Sequence, residues 1–250
     1  MQRAASIDEV IAQLESIIAT CSTQNSRIGF FAVLYLQMTQ AVARGINENF
    51  FEDGERMSRL DVNFANRYLD AWYAYTHKEP CSNAWCKVFD AAENKSLIVL
   101  QHLILGINTH INLDLALAAA ATTPGEKIFS LKNDFAKINT LIEGLAERMQ
   151  MKLEKIWWPL KFLKKISNKK EEALLNFSIT KAREVSWANA QALAMIEGDA
   201  AKRYTSGIDG TVSSIAEKII SPGGFTTLLL YPVRWLETKD VAAVIRILQA

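Results

Sequence analysis

The sequence predicts an all-α fold, a single-domain helical bundle spanning residues 1–250, with a long buried central helix and short C-terminal helices. Three observations carry that prediction. Apolar residues recur at i, i+3, i+4 and i+7 along most of the chain. Capping residues and Gly/Pro breaks fall at the ends of these periodic stretches. Runs of alternating β-branched residues are missing, apart from the ambiguous Thr226-Thr227-Leu228-Leu229-Leu230-Tyr231. Because 50% of the 250 residues are hydrophobic, there is apolar surface enough for a sizeable core.

Ser6 and Glu9 form a capping box ahead of Ile7, Val10, Ile11, Leu14, Ile17 and Ile18, predicting a first helix over about 7–21. A strongly apolar second helix follows from Arg27 to Ala43, with Gly45 placed to stop it as a left-handed C-cap. Asp53 caps a third helix that runs through Leu60, Phe64, Tyr68 and Trp72 to about Tyr75. Pro80 and Ser82 start a fourth. Ser96 to Ala121 reads as one uninterrupted helix, ended by Thr122-Thr123-Pro124-Gly125. The next helix starts near Ser130 and stops or kinks at Trp157-Trp158-Pro159, since proline removes a donor and clashes with the preceding turn. After a polar loop at Ser167-Asn168-Lys169-Lys170, a helix over about 170–197 ends at Gly198. Gly207, Gly210, Gly223 and Gly224 then divide the tail into short helices near 209–220, 225–236 and 238–248, the last capped by Thr238.

Lys and Arg total 28 against 27 Asp and Glu, so the formal charge of +1 gives no overall field to draw nucleic acid or an anionic membrane. The N-terminal MQRAASIDEV lacks the apolar stretch of a secretory signal. Cys21, Cys81 and Cys86 are odd in number, and the close pair is spaced C-x4-C rather than C-x2-C. They read as reduced thiols in a soluble cytoplasmic protein without integral membrane association. No feature speaks to oligomeric state.

The informative segment is SLIVLQHLILGINTHINLDLALAAAA, residues 96–121, whose one formally charged side chain is Asp114. His102, Gly106, His110 and Asp114 follow at four-residue intervals across a face shared with Val99, Leu103, Leu113 and Leu117. Gln101, Asn108 and Asn112 fall on another side. Ionisable groups among hydrocarbons favour burial in protein rather than lipid, and each needs a partner or a metal. His110 and Asp114, one turn apart, can serve each other. Gly106 costs about 1 kcal/mol relative to alanine, and is assigned to the close approach of another backbone or a ligand between the histidines. In the third helix Asp61 shares the face of Phe64, Ala65, Tyr68 and Trp72. Asp134 and Arg183 sit at the edges of their apolar faces, Arg183 in line with Asn176, Thr180 and Trp187.

Two functional readings and one structural reading follow. In the first, His110, Asp114 and His102 do catalytic work, and His110, Asp114 and Asp61 hold a divalent metal such as zinc, iron or manganese, in a hydrolase or oxidoreductase. Its weakness is the separation of His102 from His110, about 12 Å along an ideal helix. No H-E-x-x-H, paired E-x-x-H, P-loop, dinucleotide fingerprint or G-x-S-x-G supports it. In the second, the bundle is a non-catalytic module for a small-molecule or lipid-like ligand, with Asp61, Tyr68, Trp72, Asn108 and Arg183 as binding residues. In the third, the His/Asp/Asn groups form a satisfied network that sets helix register. The mixed aromatic and basic run from Trp157 to Lys165 reads as a helix end with a solvated basic turn.

A resemblance joins these residues. The stretch Arg59-Leu60-Asp61-Val62-Asn63-Phe64-Ala65-Asn66-Arg67-Tyr68, the run Gln101-His102-Leu103-Ile104-Leu105-Gly106-Ile107-Asn108-Thr109-His110-Ile111-Asn112-Leu113-Asp114-Leu115, and Asn176-Phe177-Ser178-Ile179 with Ala182-Arg183 resemble the family called domain of unknown function 5995. The similarity spans about residues 27–195, and the middle motif, HLxxGxNxHINxDL, is its most specific part. The resemblance implies a bacterial, helical, one-domain protein and transfers no activity, substrate or cofactor.

Overall fold

The N-terminal helices form where local capping chemistry places them. The computed structural model of the protein describes residues 2–157 and 170–250. In α1 (Ile7–Gln24) the Ser6 hydroxyl accepts the Glu9 N–H at 3.2 Å, and the Glu9 carboxylate reaches back to the Ala5 N–H at 2.8 Å, one residue before the cap. Asn25, at φ 53°, ends the helix. α2 (Ile28–Asn47) runs through Gly45 instead of stopping there. A Cβ at Gly45 would lie 3.0 Å from the Phe51 ring, so this glycine serves close packing, and the left-handed turn falls on Asn49 at φ 53°. Asp53 caps α3 (Gly54–Thr76) by accepting the Arg56 N–H at 2.8 Å.

Ser82 caps α4 (Asn83–Ala91) as its sequence suggests. A second cap arrives from far along the chain: both carboxylate oxygens of Asp209 accept the Asn83 and Ala84 N–H groups at 2.9 Å. Cys81 and Cys86 are joined by a disulfide, their Cα atoms 6.2 Å apart, which corrects the expectation of reduced thiols. The cause is the cap itself, because the first turn of α4 folds Cys86 back over the residue that precedes Ser82. Cys21 is free and buried.

The central apolar segment is not one regular helix. α5 (Val99–Thr109) passes into a π-helical turn at His110–Asp114 and then into α6 (Leu115–Thr122). By length and composition Val99–Thr122 is apolar enough to cross a membrane, but 72% of its apolar window is buried inside the structure, where α2, α3, α4 and two later helices surround it. A 3₁₀ segment, Gly125–Leu131, leads into α7 (Lys132–Ile156), displacing the predicted start at Ser130. α7 ends at Ile156, ahead of Trp157 where the break is predicted, and Lys170, expected in the polar loop, already belongs to the next helix; Trp158, Pro159, the basic turn and 167–169 lie outside the described residues.

α8 (Lys170–Ala194) precedes α9 (Gly198–Ile220), which is continuous through Gly207 and Gly210. A Cβ at either glycine would touch nothing, so their cost is helix propensity alone, and packing of Ile208, Val212 and Ala216 carries the helix across them. α10 (Gly224–Leu236) includes the ambiguous Thr226–Tyr231 run as helix. α11 (Val241–Gln249) is capped by Asp240 rather than Thr238; the Thr238 hydroxyl instead donates to the Ile156 carbonyl at 3.1 Å, tying this region to the end of α7.

No strand occurs among the described residues. One apolar cluster joins α1–α5 and α11, with Trp85, Tyr68 and Phe30 fully buried; a second joins α3, α6, α7, α8 and α9. Full burial of a side chain such as Phe30 contributes roughly 1.5–3 kcal/mol. α5 and α6 thread both clusters, which puts the π-turn between them.

Candidate functional site

The π-turn sets the chemistry. An inserted residue widens the helix there, with the Leu115 N–H reaching back to the His110 carbonyl, and such single turns recur at functional sites. His110 Nδ1 and Asp114 Oδ2 are 2.9 Å apart, and the same Oδ2 accepts the Trp85 indole N–H at 2.9 Å. With the carboxylate as acceptor, hydrogen-bond logic puts the imidazole proton on Nδ1 and leaves Nε2 a bare acceptor. Nε2 is buried without a hydrogen-bond partner. Burial lowers the His110 pKa, against the opposing pull of Asp114, so the ring is neutral.

Aromatic rings hold this imidazole. Phe64 stacks on it with centroids 3.6 Å apart and planes 10° from parallel, and Tyr35 meets it edge-on at 4.2 Å. Phe31 packs against it at 5.6 Å. The Tyr35 phenol is pushed well above its ordinary value, first by burial and then by Asp61 and Asp114, so it lies within electrostatic reach of both carboxyl groups.

One face of this cluster opens on a cavity of about 520 Å³, within the usual range of roughly 300–1,000 Å³ for small-molecule sites. α2 contributes Phe31, Tyr35 and Met38; α3 contributes Leu60, Asp61 and Phe64; α5 and α6 contribute Leu103, Ile107 and Leu115 on either side of His110. The far wall is α7, with Phe135, Ile138, Leu145 and Met149, and α8, with Ile179 and Arg183. Leu100 belongs both to the lining and, at 37% exposure, to the surface. Tyr35, Asp61, His110, Gln150 and Arg183 interrupt an otherwise hydrocarbon and aromatic wall.

Two of these polar groups are unusual. Asp61 Oδ2 has no hydrogen-bond partner, and burial pushes the carboxyl up to about 7. Arg183, 4% exposed, donates from Nε to Asn139 Oδ1 at 2.6 Å and from Nη2 to the Phe135 carbonyl, and its guanidinium lies 4.4 Å over the Phe135 ring. Burial lowers its pKa to about 10, and no carboxylate pairs with it among the described residues.

The predicted site residues therefore divide. His110, Asp61 and Arg183 line the cavity, and Asp114 stands behind His110. His102 does not join them. A Cβ at Gly106 would lie 2.3 Å from Phe31, so the close approach that the glycine permits is by a phenylalanine ring, not by a backbone or ligand. That ring separates the histidines. His102 faces Phe30 edge-on at 5.9 Å, and burial lowers its pKa to about 4. Tyr68 is fully buried and Trp72 packs at the edge of the first apolar cluster, so neither lines the cavity. Asn108 donates to the Val212 carbonyl at 3.1 Å and accepts from Asn112 at 3.1 Å, pinning α5 to α9.

Asp134 is also committed elsewhere: burial would raise its pKa, but the N–H groups of Glu52 and Asp53 and the Arg56 guanidinium hold it lower. Asn176 lies outside the residues whose side chains are described. His110, Asp114 and Asp61 do not assemble a metal centre. Among the described residues no three His, Cys, Asp or Glu side chains group to hold an ion, and Asp114 Oδ2 is already occupied by two N–H donors. Tyr35, Phe64 and Trp85 were missed by pattern reading. Only Phe64 carried a signal, one turn beyond Asp61 on the same face.

Comparison with curated proteins and with solved structures gave no match. The model of a family of unknown function, DUF5995, matches residues 7–222, which takes in the π-turn, every cavity wall and all three motifs of the resemblance, and the chain belongs to that family.

Proposed function

We propose that the protein binds a hydrophobic, chain-like small molecule in the cavity between α2, α3, α5–α6, α7 and α8, and holds a neutral polar group of it against His110. The observation that carries this reading is the lining: about 520 Å³ walled by hydrocarbon and aromatic side chains, with His110, whose buried Nε2 has no hydrogen-bond partner, among them. A buried unpaired acceptor costs about 1–3 kcal/mol, and a ligand hydroxyl would remove that cost. Empty apolar volume likewise forfeits dispersion contacts that a hydrocarbon chain restores.

The test is binding of hexadecanol and palmitate, measured by native mass spectrometry and calorimetry on wild type and on Ala146→Trp, which fills the cavity from α7. One equivalent of at least one of these should bind wild type, and the filled variant should lose it while keeping its fold by circular dichroism. Failure of both compounds to bind wild type would overturn the reading. A second reading is favoured by the Asp114–His110 pair alone: Nε2 acts as a general base on the bound molecule. It predicts that His110→Gln still binds but no longer converts the ligand.

A further inference from the structure

We infer that Arg183 is the receptor for an anionic end group, so that the ligand is a long-chain acid whose carboxylate sits against α8. This inference rests on the cavity reading above and names the ligand's chemical class. Arg183 is a lining residue of the cavity and is 4% exposed. A buried cation is costly unless paired, and the buried carboxylates of Asp134 and Asp114 are met. Asp134 takes Arg56 at 2.8 Å, and Asp114 takes the His110 imidazole and the Trp85 indole. Arg183 has two neutral acceptors, Asn139 Oδ1 and the Phe135 carbonyl, which orient the guanidinium without neutralising it. Nη1 makes no hydrogen bond among the described residues, and the planar fork is the group that suits a carboxylate.

The surrounding geometry agrees. Phe135 lies under the guanidinium at 4.4 Å and also lines the cavity, so the cation is held at the wall by a ring and a carbonyl from the same residue of α7. Asp61, the carboxyl group of the lining, stands on α3, and no ion pair joins it to Arg183 on α8 among the described residues. The lining carries polar groups on different helices, Arg183 on α8, Asp61 on α3 and His110 on the π-turn. An acid terminus fits Arg183, and a hydroxyl or similar group farther along the chain fits His110 and Asp61.

Equilibrium binding of palmitate and of hexadecanol, which share chain length and differ in charge, tests this. Wild type should prefer palmitate by about tenfold or more, the size of one charge-assisted hydrogen-bonded contact. Arg183→Met should bring the two affinities together by weakening palmitate alone, and Arg183→Lys should keep part of the preference. Equal affinities in wild type overturn the inference while leaving the cavity reading intact, and this comparison needs no variant to fold. A preference that survives Arg183→Met also overturns it. Binding of neither compound removes both the inference and the reading beneath it.

Discussion

Replacing Asp61 by asparagine should remove one contribution that makes the stability of this protein fall as pH rises. In the unfolded chain the carboxyl titrates near 3.8, and in the folded protein burial moves it to about 7. Between those values the folded state keeps a proton that the unfolded state has lost. Stability therefore falls as pH rises through the window and levels off above it. Each pH unit is worth about 1.4 kcal/mol, so the window amounts to on the order of 4 kcal/mol. Asp61 is nearly inaccessible to water, so solvent screening does little to reduce this. An asparagine amide adds a pH-independent cost of its own, about 1–3 kcal/mol if unpaired, so the slope and not the offset is the observable. His102, lowered from 6.5 to about 4, slopes the opposite way, because the unfolded state binds its proton first. It is common to both proteins and cancels in their difference if the sites are independent. Urea unfolding at several pH values should show the Asp61→Asn variant gaining roughly 4 kcal/mol on wild type between about pH 4 and pH 8. A difference that stays constant across that range would refute the burial argument.

Other substitutions report on packing and capping. Gly106→Ala gains about 1 kcal/mol of helix propensity but drives a Cβ into the Phe31 ring, where overpacking costs about 1–3 kcal/mol, so thermal melting should show a net loss. Gly144→Ala, a helical position with nothing within 4 Å, should be neutral or stabilising by up to about 1 kcal/mol, and an equal loss at both glycines would contradict the Phe31 contact. Asp134→Ala strips partners from the N–H groups of Glu52 and Asp53 and from Arg56, and denaturant unfolding should register a loss of about 3–5 kcal/mol. Retained stability in that variant would mean that water replaces the carboxylate.

Much of the helical framework was legible because its causes are local. Ser6, Asp53 and Ser82 cap the helices that their spacing to the next apolar residues announces. Errors came where a local signal had a nonlocal use. Gly45 read as a stop and Gly106 as room for a backbone or a ligand, yet both make room for phenylalanines, Phe51 and Phe31. Gly207 and Gly210 read as breaks, but packing of α9 overrides their propensity. The Cys81–Cys86 bond was missed because its spacing fits no metal or redox motif, although a helix cap brings the two together.

By itself the sequence determined that the chain is helical, that the 96–121 segment is buried, and that His110 and Asp114 lie one turn apart and serve each other. Those properties depend on periodicity and on neighbours within one helix. Tertiary structure alone decided that Phe64 stacks on His110, that Trp85 completes the Asp114 contact, and that Arg183 faces a cavity bordered by Asp61. A void belongs to no residue: it exists where side chains of six helices fail to meet, and no spacing along one chain segment encodes that distance.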